Sequence, residues 1–256
     1  MQNMFTNRLK YEIIRKNLGG SYCMSTKEDL IKNLEWNNNI KNKEEKEVLA
    51  RKIASKVKDG DVISFGSGTT SFLAVKEIAN KCEKEKLDIT AVPTSNQIEL
   101  LCNYLNIKTC KLGEKKIDWG FDGADEVNKD NWLIKGLGGA FYKEKMNLKE
   151  TPIVYILVDK SKLVNKLGEK CAIPIECDID KIEFVKKELI KIGAIELNVR
   201  KRINSDDIYI TDNGRYIIDA KFKDVNENLE RKINQIDGVI ENGLFINYDN
   251  IEIIMI

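Results

Sequence analysis

Short apolar runs alternate with helical stretches through most of this chain, and that alternation admits few folds other than a parallel sheet flanked by helices. Residues 44–58 place Val48, Leu49, Ile53 and Val57 at helical spacing. A buried strand follows at 62–65, then a glycine-rich turn at 66–71 that opens a helix reaching Ala79. Strands are expected at 89–92, near Ile117 and at 153–158, with helices at 96–105 and 161–167 between and after them. Beyond Gly168 the texture changes. Residues 180–192 form an amphipathic helix, with Ile182, Val185, Leu189 and Ile192 on one face and Gly193 as its stop. Strand-like pieces lie at 195–199, 207–210 and 216–220, the last two joined by the turn Asp212-Asn213-Gly214. A helix at 226–236 and strands at Val239, 244–246 and 251–254 complete the pattern, the final strand returning to the main sheet. The expected fold is α/β: a Rossmann-like, mostly parallel sheet flanked by helices, with a smaller α+β, ferredoxin-like subdomain. Residues 44–167 and 242–256 would form the Rossmann-like unit, and 168–241 the lid or oligomerisation subdomain.

Residues 1–43 stand apart. They hold eight asparagines, eight basic and four acidic side chains, and one short helix opened by Ser25 with Glu28 at capping-box spacing. This basic, Asn-rich segment is expected to be an appendage. Its interspersed charges are unlike a signal peptide. Over the whole chain 42 basic residues balance 41 acidic ones, which gives no case for nucleic acid or a membrane surface as partner. The apolar run at 153–158 is too short to span a bilayer. The six cysteines include no CxxC pair, so reduced thiols and a cytoplasmic location are expected.

The chain contains no histidine. A Ser-His-Asp triad, a Cys-His dyad and His-ligated zinc are therefore excluded. Acid–base chemistry must fall to carboxylates, lysine, tyrosine or cysteine with pKa values shifted by their surroundings. Four segments carry such groups. Gly66-Ser67-Gly68-Thr69-Thr70-Ser71 joins a strand to a helix, where backbone donors and hydroxyls fit a phosphate, or where the turn is simply tight. Asp122-Gly123-Ala124-Asp125-Glu126 packs three carboxylates at a strand end. It reads as a solvated acidic turn, a charge-coupled site or, less directly, a magnesium site. Lys135-Gly136-Leu137-Gly138-Gly139-Ala140, followed by Glu144-Lys145, sets a lysine beside donor-rich backbone suited to a developing oxyanion, or is a hinge. Asp159-Lys160-Ser161-Lys162 puts cations at a helix start or merely caps it.

In this order, and with Val92-Pro-Thr-Ser95, Thr211-Asp-Asn-Gly214 and Gly243-Leu-Phe-Ile-Asn247, these motifs resemble the ribose-5-phosphate isomerase type A family, from about Glu44 to the C-terminus. The resemblance implies a proton-transferring base at Glu144, active-site aspartates at Asp122 and Asp125, and an active-site lysine at Lys135. It implies substrate contacts from Ser67, Gly68, Thr69, Thr70, Gly123, Ala124, Gly136, Leu137, Gly138 and Lys162, with Lys46 near the phosphate. The implied reaction interconverts D-ribose 5-phosphate and D-ribulose 5-phosphate through an enediolate, in the non-oxidative pentose phosphate pathway. It implies no metal or organic cofactor, a small phosphorylated pentose as partner, and a homodimer or homotetramer. Leu137 departs from a glycine usual in the family; a positive φ there would cost about 1–2 kcal/mol. Two other readings fit part of the pattern: a sugar-phosphate-sensing effector domain of a transcriptional repressor, and an isomerase for a different phosphorylated sugar.

Overall fold

A computed structural model describes residues 40–256; the expectations for residues 1–39 lie outside them. Helix α1 (Lys43–Lys56) buries Leu49, Ala50 and Ile53, then the chain turns into strand β1 (Val62–Phe65). Helix α2 (Gly68–Glu85), strand β2 (Thr90–Pro93), helix α3 (Asn96–Tyr104) and strand β3 (Lys108–Thr109) follow. The next parallel strand, β4 (Trp119–Gly123), starts two residues beyond Ile117, which is buried just before it. Two two-residue strands, β5 (Glu126–Val127) and β6 (Leu133–Ile134), precede helix α4 (Phe141–Glu150) and strand β7 (Val154–Val158). The short helix expected at 161–167 shrinks to a 3₁₀ turn, Lys160–Lys162, because Asp159 caps it by accepting from Ser161 N at 2.9 Å and Leu163 is already extended.

A separate β-α-β-β-α-β run then begins: β8 (Ile173–Cys177), α5 (Ile182–Lys191), β9 (Ala194–Val199), β10 (Tyr216–Phe222), α6 (Leu229–Asn234) and β11 (Val239–Asn242). Its sheet order is β11-β8-β10-β9 with every pairing antiparallel, the ferredoxin-like arrangement. Alternate residues of these strands bury Ile173, Ile175, Cys177, Ile218 and Ala220 against Val185 and Leu189 of α5 and Leu229 and Ile233 of α6. The strand expected at 207–210 does not form. Isolated bridges at Ile208 and Ile210 are all that remain, since 201–210 is largely exposed and has no partner row to complete a ladder. The chain closes with β12 (Leu244–Phe245), which joins β5 and β6 in a three-stranded antiparallel sheet, and β13 (Ile251–Met255).

The central sheet runs β13-β7-β4-β1-β2-β3, all parallel. Its inner strands are apolar nearly throughout, as expected where helices cover a parallel sheet. From β1 the chain winds outward to β2 and β3, whereas β4 and β7 lie on the other side of β1. Strand order therefore reverses between β1 and β4, and in such sheets ligands bind beyond the carboxyl ends of the strands at that reversal. Phe65 leads there into Gly66 and Ser67 and the start of α2, and Asp122, next to last in β4, lies beside them. Gly66 is needed for this approach: a Cβ on it would lie 2.2 Å from the Asp122 carboxyl.

Candidate active site

Three charged side chains far apart in sequence converge behind that crevice. Asp122 comes from β4, Lys135 from the segment after β6, and Glu144 from the first turn of α4; they are 5%, 4% and 7% exposed. Lys135 Nζ lies 3.0 Å from Asp122 Oδ2 and 3.1 Å from Glu144 Oε2, and it also donates to the Gly123 carbonyl. Asp122 Oδ1 accepts from the backbone N–H of Gly123 at 2.7 Å and of Ser67 at 3.2 Å. Glu144 Oε2 is buried and lacks the alignment of a hydrogen bond to Lys135, which leaves an acceptor with spare capacity. A cavity of about 10 Å³ touches all three groups and is otherwise walled by Ser64, Thr94, Phe121, Leu148, Val154 and Ile156.

This largely apolar wall sets the electrostatics. Burial, reinforced by the Asp122 charge and only partly opposed by Lys135, lifts the Glu144 pKa from the usual carboxylate range to about 8. Burial also raises Asp122, against the pull of Lys135. For Lys135 burial favours the neutral amine, but Asp122 and Glu144 outweigh it and hold the ammonium above the ordinary lysine range. The site thus holds a carboxylate poised near neutrality, a second carboxylate, and between them a cation that keeps its proton. Those are the parts needed to move a proton next to a carbonyl and stabilise the resulting oxyanion.

Beside this cluster lies a helix start whose free donors could receive an anion. Ser67 occupies the N-cap of α2, but its hydroxyl pairs with Thr94 Oγ1 at 2.9 Å instead of capping the helix. No acidic residue stands in the first turn, and Gly68 opens the helix with φ +87°. The amide donors at this helix start are therefore available to an anion. Lys46 reaches in from α1 to donate to Thr69 Oγ1 at 2.9 Å. Burial, then the nearby charge of Lys162, lowers the Lys46 pKa. Two cations near an amide-rich helix start have the charge and donors that would suit a dianion such as a phosphate. Thr70 packs beside Gly123, linking this helix start to β4.

The remaining expected residues divide by role. Asp125 accepts from Leu137 N at 3.0 Å, so it ties the acidic segment to the lysine–glycine segment and does not touch Lys135 directly. Ala124 packs against the buried cluster that includes Val127, Leu133 and Phe141. Positive φ occurs at Gly136 (108°) and Gly139 (78°), where glycine is present, and not at Leu137. Leu137 therefore carries no backbone strain and projects to solvent, 55% exposed. Gly138 accepts from the Tyr209 hydroxyl at 3.3 Å.

The acidic segment is not a solvated turn: Asp122 and Glu126 are both buried. Glu126 is fully buried and accepts from the backbone N–H groups of Gly168, Lys170 and Cys171 at 2.5–2.6 Å. It clasps the segment entering β8, a structural use of the third carboxylate that spacing alone does not reveal. Lys145 is likewise structural. Fully buried, it pairs with Glu230 at 2.8 Å and Glu241 at 3.0 Å, and so locks α4, which carries Glu144, onto α6 and β11. Among the described residues no group of three or more His, Cys, Asp or Glu side chains is arranged to hold a metal ion, and no helix is long and apolar enough to cross a membrane.

Comparison with known proteins decides the family. The ribose 5-phosphate isomerase A (phosphoriboisomerase A) family matches residues 90–255. The ribose-5-phosphate isomerase A of Methanocaldococcus jannaschii is 38% identical over 218 residues, covering 83% of this chain and 94% of that protein. The chain belongs to the ribose 5-phosphate isomerase A family. The solved Methanocaldococcus jannaschii isomerase superposes with a TM-score of 0.79 at 37% identity, over 83% of this chain and 95% of that one. A second solved D-ribose-5-phosphate isomerase, in complex with phospho-erythronic acid, gives 0.80 at 35% identity over 84% and 95%. The Rossmann-like sheet with antiparallel sheets beside it is thus the architecture of ribose 5-phosphate isomerases A, as the motifs led one to expect.

Proposed function

We propose that this chain interconverts D-ribose 5-phosphate and D-ribulose 5-phosphate by proton transfer through an enediolate. The observation that carries it is the buried Asp122–Lys135–Glu144 cluster adjoining the Ser67–Thr70 helix start. The phosphate sits at the start of α2, held by the amides of Gly68, Thr69 and Thr70, by the hydroxyls of Ser67, Thr69 and Thr70, and by Lys46 and Lys162. Asp122 assists opening of the furanose ring. Glu144 takes the C2 proton and returns it at C1. Lys135 and the backbone N–H groups of Gly136 and Gly138 stabilise the enediolate oxygens, and Asp125, holding the Leu137 N–H, keeps that segment in register. The relative solved with a phosphorylated sugar acid supports a phosphorylated pentose as substrate. Residues 44–167 and 242–256 act as the catalytic unit and 168–241 as lid and oligomerisation unit. A homodimer or homotetramer is supported by Phe184, Ile190 and Ile195, which stay exposed on the antiparallel unit. A cytoplasmic location, in the pentose phosphate pathway, suits the free thiols of Cys82, Cys102, Cys110, Cys171 and Cys177.

Because Lys135 already supplies the positive charge between the two carboxylates, catalysis requires no metal. Ribulose 5-phosphate formation from ribose 5-phosphate should proceed equally with and without excess chelator; a chelator-sensitive rate would overturn the metal-free assignment, and an inactive chain would overturn the function. The pH profile has a definite sign. Glu144 works as a base only when ionised, so kcat/KM should rise with pH through a midpoint near 8, the pKa its burial imposes. That limb is separable from the substrate phosphate, which titrates at about 6. An acid limb at an ordinary carboxylate value would exclude Glu144 as the base.

A further inference from the structure

Three successive carbonyls of the lysine–glycine segment point at the antiparallel unit. Arg200, directly after β9, uses one nitrogen, Nη1, to donate to the carbonyls of both Gly136 (2.7 Å) and Leu137 (3.1 Å). The Tyr209 hydroxyl takes the third, at Gly138. The rest of the Arg200 fork is fixed: Nε donates to Asp219 Oδ2 at 2.9 Å, and Nη2 pairs with Asp219 Oδ1. Asp219 lies on β10, where it sits opposite Asn198 of β9, so both ends of the bidentate pair belong to one rigid ladder. The Arg200 side chain is 11% exposed, and its bonds to Gly136 and Asp219 are partly buried, whereas its bond to Leu137 lies at the surface.

A trans peptide sends its C=O and N–H in opposite directions. Holding the Gly136 carbonyl therefore aims the Leu137 N–H away from Arg200, and it meets Asp125 Oδ2 at 3.0 Å. Holding the Leu137 carbonyl does the same for the Gly138 N–H. With glycines on both sides, at Gly136 and Gly138, the segment has few intrinsic restraints of its own. We propose that Arg200, braced by Asp219, is a positioning residue: it orients the two peptides so that the Leu137 N–H is held by Asp125 and the Gly138 N–H is aimed away from Arg200 as a donor to the developing enediolate oxygen. The inference rests on the isomerase function and adds to it a specific residue of the antiparallel unit, whose geometry then enters the rate.

The test is steady-state isomerisation of ribose 5-phosphate by the full chain as wild type, Arg200→Ala, Asp219→Asn and Lys201→Ala, each with its melting temperature. Arg200→Ala should lose kcat by about 10–100-fold, less than the 10²–10³ for deleting an oxyanion donor outright, because the donors remain but are misaligned. KM should rise by less than kcat falls. Added guanidinium should restore several-fold of the lost kcat, whereas methylammonium should not, since only a planar fork can span both carbonyls and Asp219. Asp219→Asn, which keeps Arg200 but loosens its brace, should show a smaller loss in the same direction. Lys201→Ala, which removes only an exposed pair with Asp206, should match wild type. A folded Arg200→Ala with wild-type kcat overturns the inference. So does a loss that guanidinium leaves unrestored and that tracks a fall in melting temperature, since the residue would then be structural alone. If Arg200→Ala does not fold, Asp219→Asn with wild-type kcat overturns it equally. An inactive wild type sinks the isomerase function itself; an active wild type equalled by Arg200→Ala sinks this inference alone.

Discussion

Glu144→Gln should lower kcat for ribose 5-phosphate isomerisation by about 10²–10⁴-fold while leaving the protein folded and KM nearly unchanged. The amide has the shape of the carboxylate, so the contacts of α4 survive, but it cannot accept the C2 proton. Solvent deuterium should no longer wash into the substrate at C2, an exchange that reports the proton-transfer step separately from turnover. The stability effect has the opposite sign. A carboxyl whose folded pKa is raised contributes stability that is complete below its unfolded value, 4.5, and is lost as pH rises through about 8. Removing that titration should leave Glu144→Gln at least as stable as wild type above pH 8. Asp122 and Glu144 around one lysine make a buried cluster with excess negative charge, which the amide relieves. Substantial turnover in the variant would dismiss Glu144 as the base.

Lys135→Met should cost both rate and fold. Without the ammonium, Asp122 and Glu144 face each other in an apolar wall with no counter-charge, and removing one partner of a buried ion pair costs about 3–5 kcal/mol. The enediolate also loses its cation, worth about 10²–10³ in kcat if it acts as one oxyanion-site donor. The destabilisation should depend on pH in one direction. Both carboxyls would bind protons more tightly in the folded variant than in the unfolded chain, so its stability should be greatest in mild acid and fall as pH rises. Denaturant titrations of wild type and variant at pH 5 and pH 8 measure this. A deficit that is the same at both pH values would show that Lys135 matters for packing and not for charge.

The parallel sheet and the three converging groups were legible because their signals are local and repeated. Strands such as Val62–Phe65 and Val154–Val158 are short, mainly apolar runs bounded by turns, and each of the three groups lies in a motif with distinctive spacing. What escaped the sequence is long-range. The strands at Glu126–Val127 and Leu133–Ile134 are two residues long, below any periodicity, and form only because they meet the expected strand at 244–246, realised as Leu244–Phe245, more than a hundred positions later. Residues 207–210 alternate like a strand but find no partner row. Glu126 resembled its acidic neighbours, and only the arrival of three amides from 168–171 makes it a clasp. Arg200 and Asp219 carry no motif, and nothing in their spacing points to a carbonyl pair more than sixty positions earlier. The strain anticipated at Leu137 did not materialise, since the positive φ values fall one residue before it and two residues after it, on glycines.

The antiparallel unit is spliced between β7 and β13, and this sets an order of events during synthesis. Val154–Val158 emerges from the ribosome long before Ile251–Met255, the strand that pairs along its whole length, about a hundred residues later, a separation that makes such pairing slow. Until then β7 is an open sheet edge made of Val-Tyr-Ile-Leu-Val, uncharged and β-prone, the composition most apt to recruit a strand from another chain. The closing strand therefore serves the nascent protein as a guard against self-association, and its arrival ends the interval in which this sheet is most vulnerable.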